Sequence, residues 1–151
     1  MKTPADVRIL ASSIQVISAE HGWEKWANFP RERERLFKLI RDSKAKGVIV
    51  VSGDRHLSEI ARLDPGIGYP LYDITSSSLN QPSGNLTISG GRWQNEINPY
   101  RVGLTYFETN FGMIEIDWKE YDPVLRLQVR DEKGNVVLQQ RIKLSQLSPA
   151  G

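Results

Sequence analysis

Apolar and polar positions alternate most regularly in the last third of the chain, where Leu125, Leu127 and Val129 are interleaved with Arg126, Gln128 and Arg130. A period of two with one wet face predicts antiparallel strands. Val136, Leu138, Gln140, Ile142 and Leu144 fill alternate positions of the next run, and Asp131-Glu132-Lys133-Gly134-Asn135 supplies the turn between them. Leu104 to Thr109 with Phe111 to Trp118 predicts an earlier hairpin around Asn110.

Upstream, the pattern changes. Val48 to Val51 is a continuous β-branched run, as in a short strand covered on both faces, and it stops abruptly at Ser52-Gly53-Asp54. Before it, Leu36, Phe37, Leu39 and Ile40 form a helical stripe behind Pro30, which suits a first helical position, with Glu32 and Glu34 in the opening turns. This predicts a helix near 30–46, closed by Lys44, Lys46 and Gly47. Ile9 to Ile17 reads as a strand with one polar face, and Pro70 to Thr75 as another after the turn at Asp64-Pro65-Gly66-Ile67-Gly68. Ser76 to Gly91 reads as a long loop. Strand, helix, strand, then antiparallel strands predicts a layered α/β (α+β) fold with a mixed sheet. Ligands in such layers gather beyond the carboxyl ends of strands, where Asp54 and His56 fall.

Composition narrows this picture. In 151 residues, a 39% hydrophobic content and four tryptophans suffice for one core, so residues 1–151 are expected to form a single domain. The net charge of +2 is too small to imply nucleic acid without a clustered basic face, and the interleaved charges of Arg31, Glu32, Arg33, Glu34, Arg35 and Lys38 fit a solvated helix face. With no cysteine, any metal must be held by oxygen or imidazole. No segment approaches the roughly 20 apolar residues of a membrane span, and Met1 to Arg8 lead into no signal-like apolar region; a cytoplasmic protein is the expectation.

Gly53-Asp54-Arg55-His56 is the sharpest chemical feature. Asp54 and His56 are two apart on a loop, so both can reach one centre. A carboxylate with an imidazole suits Zn, Mn or Fe, and the carboxylate alone suits Ca or Mg. Arg55 can offer a planar fork to a phosphate oxygen. The same residues equally describe a capped turn, a packed histidine and a solvated arginine. Trp23 and Trp26 can line a substrate pocket or simply pack, and His21 sits in a loop as an acid/base, a ligand or a packing residue. Ser76 to Ser78 suit a phosphate or a plain turn. Ser12, Ser13 or Ser52 with His56 and Asp54 or Asp73 would make a metal-free carboxylic-ester hydrolase, although no Gly-x-Ser-x-Gly elbow is present. A non-catalytic binding module is the third class.

Blocks along nearly the whole chain add a resemblance. Ser12-Ser13-Ile14-Gln15-Val16, Trp23-Glu24-Lys25-Trp26-Ala27-Asn28-Phe29-Pro30 with Glu32-Arg33, and Ser52-Gly53-Asp54-Arg55-His56-Leu57-Ser58-Glu59 follow one another. Tyr69-Pro70-Leu71-Tyr72-Asp73-Ile74-Thr75-Ser76-Ser77 and Asn110-Phe111-Gly112 complete the series. In order and spacing these are similar to late blocks of the PhoD-like (alkaline phosphatase D) metallophosphoesterase family. The resemblance implies the C-terminal half of a calcineurin-like metallophosphoesterase sandwich that hydrolyses phosphate esters, small molecules among them, through divalent or mixed metal ions (Ca, Fe, Zn, Mn or Mg). Carried over, Asp54 and His56 become metal ligands in the catalytic site and Arg55 a catalytic and substrate contact; of the tryptophan pair, Trp26 is the substrate-binding candidate. Relatives carry their earlier ligand motifs upstream of the region matched here. Two ligands rarely hold a metal tightly, so the rest are expected from a partner or another copy, and an apolar face left by half a sandwich predicts a homo-oligomer.

Overall fold

A computed structural model describes residues 3–85 and 96–149. Its first sheet contains β1 (Arg8–Ala11), β2 (Val48–Ser52), β3 (Ser58–Leu63) and β4 (Leu71–Ser76) in the order β1-β2-β4-β3. β1, β2 and β4 are parallel, and β3 runs antiparallel to β4. The helix α1 (Pro30–Asp42) links β1 to β2. The second sheet is an antiparallel meander of β5 (Asn110–Asp117), β6 (Val124–Asp131) and β7 (Val136–Lys143). The mixed α/β layering and the antiparallel C-terminal strands are as the apolar periodicity predicts.

Val48, Ile49 and Val50 are all fully buried, so both faces of β2 are covered, as the unbroken apolar run requires. Phe37 and Ile40 from α1 join the same core as Leu125, Leu127, Val129 and Ile142 from the second sheet. In β6 the alternating Leu125, Leu127 and Val129 are fully buried, and Gln128 is buried between the last two.

Three elements differ from expectation. β1 ends at Ala11, and residues 12–25 leave the sheet as an irregular loop although Gln15, Val16, Ile17 and Ser18 are buried. Ser12 turns the chain by donating its hydroxyl to the Ile14 carbonyl at 2.6 Å. The peptide groups beyond then find side chains in place of a neighbouring strand. Asp73 Oδ2 accepts the Val16 and Ile17 N–H groups at 2.8 and 3.2 Å, and Arg33 donates to the Val16 and Ile17 carbonyls at 2.7 and 2.8 Å. Arg33 is thus drawn inward from the helix face, while Arg35–Glu32 and Lys38–Asp42 pair at the surface as expected.

The helix stops at Asp42, short of 46, because Lys44 enters the left-handed region at φ 49°. Gly47, at φ 66°, serves a close approach: a Cβ there would lie 2.0 Å from the Asp6 carbonyl oxygen. The hairpin expected around Asn110 is absent. Asn110 opens β5, which pairs with β6, while Tyr106 exchanges two 2.8 Å backbone bonds with Ser58 of β3. Of the predicted loop from Ser76, the first residue belongs to β4 and residues 86–91 lie outside the described part.

Asp73 lies on β4, fully buried, and its other oxygen accepts the Ser52 hydroxyl at 2.7 Å. Burial pushes its carboxyl above the ordinary range, against the lowering effect of the Ser52 hydroxyl and the Val16 and Ile17 amides. Asp73→Ala strands two buried amides and a hydroxyl, and is expected to cost about 2–5 kcal/mol of folding free energy. Asp73→Asn keeps one acceptor for the amides and can bond Ser52 with its NH2, so a loss of about 1 kcal/mol is expected. Urea denaturation of the two variants checks this ordering, and equal losses would refute it.

Candidate functional site

Because β1, β2 and β4 are parallel, their carboxyl ends lie on one rim, and β3 starts there. The loops beginning at Ser12, Gly53 and Ser77 therefore converge. Gly53 sits between them: a Cβ on it would lie 3.7 Å from the Ser13 carbonyl and 3.9 Å from Ser77 Cβ, which is ordinary contact. The tight turn is made elsewhere. Asp54 and His56 adopt left-handed backbone conformations at φ 69° and 53°. Such conformations cost non-glycine residues about 1–3 kcal/mol each and persist where surrounding bonds enforce them.

Those bonds come from the loop after β4. The His56 N–H donates to Ser77 Oγ at 2.7 Å, its carbonyl accepts the Ser83 N–H at 2.7 Å, and ring Nδ1 lies 2.7 Å from the Gln81 carbonyl. Since a carbonyl only accepts, Nδ1 carries the proton, and the neutral ring has its lone pair on Nε2. This is the usual preparation of a metal-binding imidazole. Asp54 is exposed beside it in sequence. Ser76, by contrast, is bonded to Asn110 Oδ1 at 3.0 Å.

Arg55 points the other way. It is 1% exposed, its guanidinium pairs with Glu96, and it lies 6.0 Å from the centre of the Trp23 ring. Glu96 also accepts the Trp23 indole N–H at 3.0 Å. Trp26 packs against the core and donates its indole N–H to Ser12 Oγ at 3.0 Å. Neither tryptophan lies on an α-helix; Trp26 opens a short 3-10 turn, Trp26–Asn28. His21 is buried and accepts the Trp23 N–H on Nδ1 at 3.2 Å. Desolvation, with the charges of Arg55 and Lys25 added, lowers its pKa to about 4. Lys25, also buried, donates to the His21 and Trp23 carbonyls at 2.5 and 3.1 Å.

Beneath the rim runs a buried polar network that the chemistry of single motifs does not reveal. Ser52 Oγ lies 2.9 Å from Thr75 Oγ1, and Gln15 Nε2 donates to Thr75 and to Glu59 at 2.8 Å each. Glu59 also accepts from Asn98 at 2.8 Å and from Arg101 at 2.5 Å. Glu96, Asn98 and Arg101 went unnoticed in the sequence because they sit far from any block with catalytic spacing. Ser52 donates directly to Asp73, and the His56 ring is turned to Gln81. No imidazole therefore stands between serine and aspartate, and a Ser52–His56–Asp73 relay is not assembled. Ser12 is likewise occupied, by the Ile14 carbonyl and Trp26.

A divalent metal suits the donors Asp54 and His56, but among the described residues no three His, Asp or Glu side chains lie close enough to hold one. The nearby Asp73 has both oxygens committed to Ser52, Val16 and Ile17. In donor chemistry the two side chains suit a metal, and in number they fall short of a complete centre. On the same rim an open groove of about 580 Å³ is lined by Ala11, Val51, Ile74, Leu79, Phe111 and Met113 among others. No helix among the described residues is long and apolar enough to cross a membrane.

Fold and rim together define a layered α/β domain with a polar loop cluster at the carboxyl ends of a mixed sheet. A solved structure titled "Structure of PhoD" shares this architecture, with a TM-score of 0.51 and 16% sequence identity over 97% of the present chain. The present chain spans 33% of that one. At this identity the likeness establishes the fold, which is that of part of the PhoD structure. No family model matches the sequence, and no curated protein matches it.

His21 has a pH consequence. Its folded pKa, about 4, lies below the unfolded value of 6.5, so between those values the unfolded chain binds more protons and stability falls as the pH falls. His21→Asn keeps an acceptor for the Trp23 amide and removes the titration. Relative to that variant, the natural chain is expected to lose about 1–3 kcal/mol between pH 6.5 and pH 4. Denaturation curves across this interval provide the check, and a constant difference would exclude His21 as the source.

Proposed function

We propose that the chain is part of a PhoD-like phosphoesterase, with Asp54 and His56 as two of the ligands of a metal centre and the remaining ligands supplied from outside the described residues. The observation that supports this reading is the His56 geometry: Nδ1 is fixed on Gln81, the arrangement of an imidazole that ligates through Nε2, on a strained loop at the carboxyl rim of a PhoD-like fold. When bound, a divalent ion would act as a Lewis acid toward a phosphate ester and its attacking water. Asp54, exposed on the same loop, adds anionic charge, which favours a cation. A partner chain or a second copy of this chain, in a homo-oligomer, is the source of further ligands under this reading. The groove offers an apolar wall beside the rim for the organic part of a small-molecule ester.

The test uses the purified chain and aryl phosphate monoesters and diesters, with a carboxylic ester of the same leaving group as comparison. Phosphate-ester hydrolysis that chelator abolishes and Zn, Mn, Fe, Mg or Ca restores is expected. Asp54→Ala and His56→Ala should each lower it by about 100-fold or more. Elemental analysis and light scattering on the same sample give metal content and copy number. Hydrolysis of the carboxylic ester in chelator would favour the serine chemistry; a metal-free chain inert toward every ester would leave a binding module.

A further inference from the structure

We propose that Arg55 is a positioning residue: its buried guanidinium, clamped between Glu96 and Trp23, holds the 53–56 loop in the conformation that presents Asp54 and His56. This rests on the reading of those two residues as the working side chains. It replaces the expectation that Arg55 itself meets a phosphate.

The geometry of three consecutive residues carries the inference. Asp54 is exposed, Arg55 is 1% exposed and His56 is partly exposed. The left-handed conformations fall on the first and third of them. The two strained residues flank the one whose side chain is buried, and each left-handed conformation is unfavourable by itself. A guanidinium taken out of water needs a compensating charge, and Glu96 provides it with a side chain only 12% exposed. Glu96 is in turn fixed, by the Trp23 indole N–H on one carboxylate oxygen and by Arg101, which donates to its carbonyl at 3.1 Å. The Trp23 ring lies 6.0 Å from the guanidinium, a distance at which its π face attracts a cation. His21 fits the same account. Buried next to this cation and Lys25, it stays neutral at ordinary pH and adds no opposing charge to the clamp.

The clamp thus links three stretches remote in sequence: the loop around Trp23, the candidate loop, and the segment entering Asn98 and Arg101. On its other side the candidate loop is held by hydrogen bonds at His56, so the inward pull on Arg55 and the outward bonds at His56 fix the strained residues from two directions. A flexible lysine lacks the planar fork that meets Glu96 and stacks near Trp23.

The test reads the loop without requiring catalysis. In ¹⁵N-labelled chain above pH 7.5, long-range imidazole spectra distinguish the tautomers of the two histidines, assigned with His21→Asn. The natural chain is expected to show His56 as a single Nδ1–H form. In Arg55→Met the ring should become a mixture of tautomers, and amide exchange at His56 and Ser83 should quicken at least tenfold while β2 and β4 amides keep their rates. Glu96→Gln, which keeps shape and removes charge, should change the same signals in the same direction and serves if Arg55→Met does not fold. Unchanged tautomer and exchange in the folded variant would overturn the proposal. Zinc titration of the same samples separates the two ideas. If zinc binds the natural chain, Arg55→Met should weaken it at least tenfold; if zinc does not bind but the loop signals change, positioning stands and a metal centre formed by this chain without a partner chain is excluded.

Discussion

Residues 15–18 are buried without belonging to a helix or a strand, and the interior does not tolerate bare peptide groups. Everything on the carboxyl rim depends on how that demand is met. Asp73 takes the two amides and Arg33 the two carbonyls of Val16 and Ile17, so one segment is pinned from β4 below and from α1 beside it. The apolar side chains of Val16 and Ile17 can then enter the core that α1 and the sheets share. From the same loop, Ser13 then lies beside Gly53 and Trp23 beside Arg55. Asp73 also bonds Ser52, the last residue of β2, and therefore ties the start of the candidate loop to the same anchor.

That arrangement explains which parts of the fold were legible in the sequence. β2, β4, β6, β7 and most of α1 satisfy their peptide groups within regular ladders, and their apolar periodicity follows directly from which face is covered. Residues 12–17 looked like a continuation of β1 because Ile14, Val16 and Ile17 are β-branched. Their hydrogen-bond partners are side chains 16 to 57 positions away, and no local pattern carries that information. The segment 104–109 was misread for a related reason. Its apolar residues suggest a hairpin arm, but Tyr106 answers to Ser58, across more than forty residues.

The candidate site was legible in its location and only partly in its roles. A strand ending in Ser52-Gly53-Asp54 puts the next side chains at a carboxyl rim, and the parallel pairing of β1, β2 and β4 confirms the rim. The left-handed backbone angles fall on Asp54 and His56 and not on the adjacent Gly53. Arg55 looked like the phosphate contact because it is charged and central, whereas its side chain lies inside. Glu96 explains that burial, and nothing near it in sequence announces a charge needed forty-one positions earlier.

The backbone at Asp54 and His56 has a consequence for engineering. Glycine adopts left-handed angles without the steric penalty, so replacing either residue with glycine relieves about 1 kcal/mol of local strain, against a comparable entropic cost in the unfolded chain. For Asp54, whose side chain is exposed, folding is therefore nearly indifferent to the change, whereas at His56 the ring's bond to Gln81 is lost as well. A campaign that ranks variants only by heat resistance or expression would drift through position 54 unopposed, and would keep the scaffold while discarding a group that makes its rim chemically distinctive.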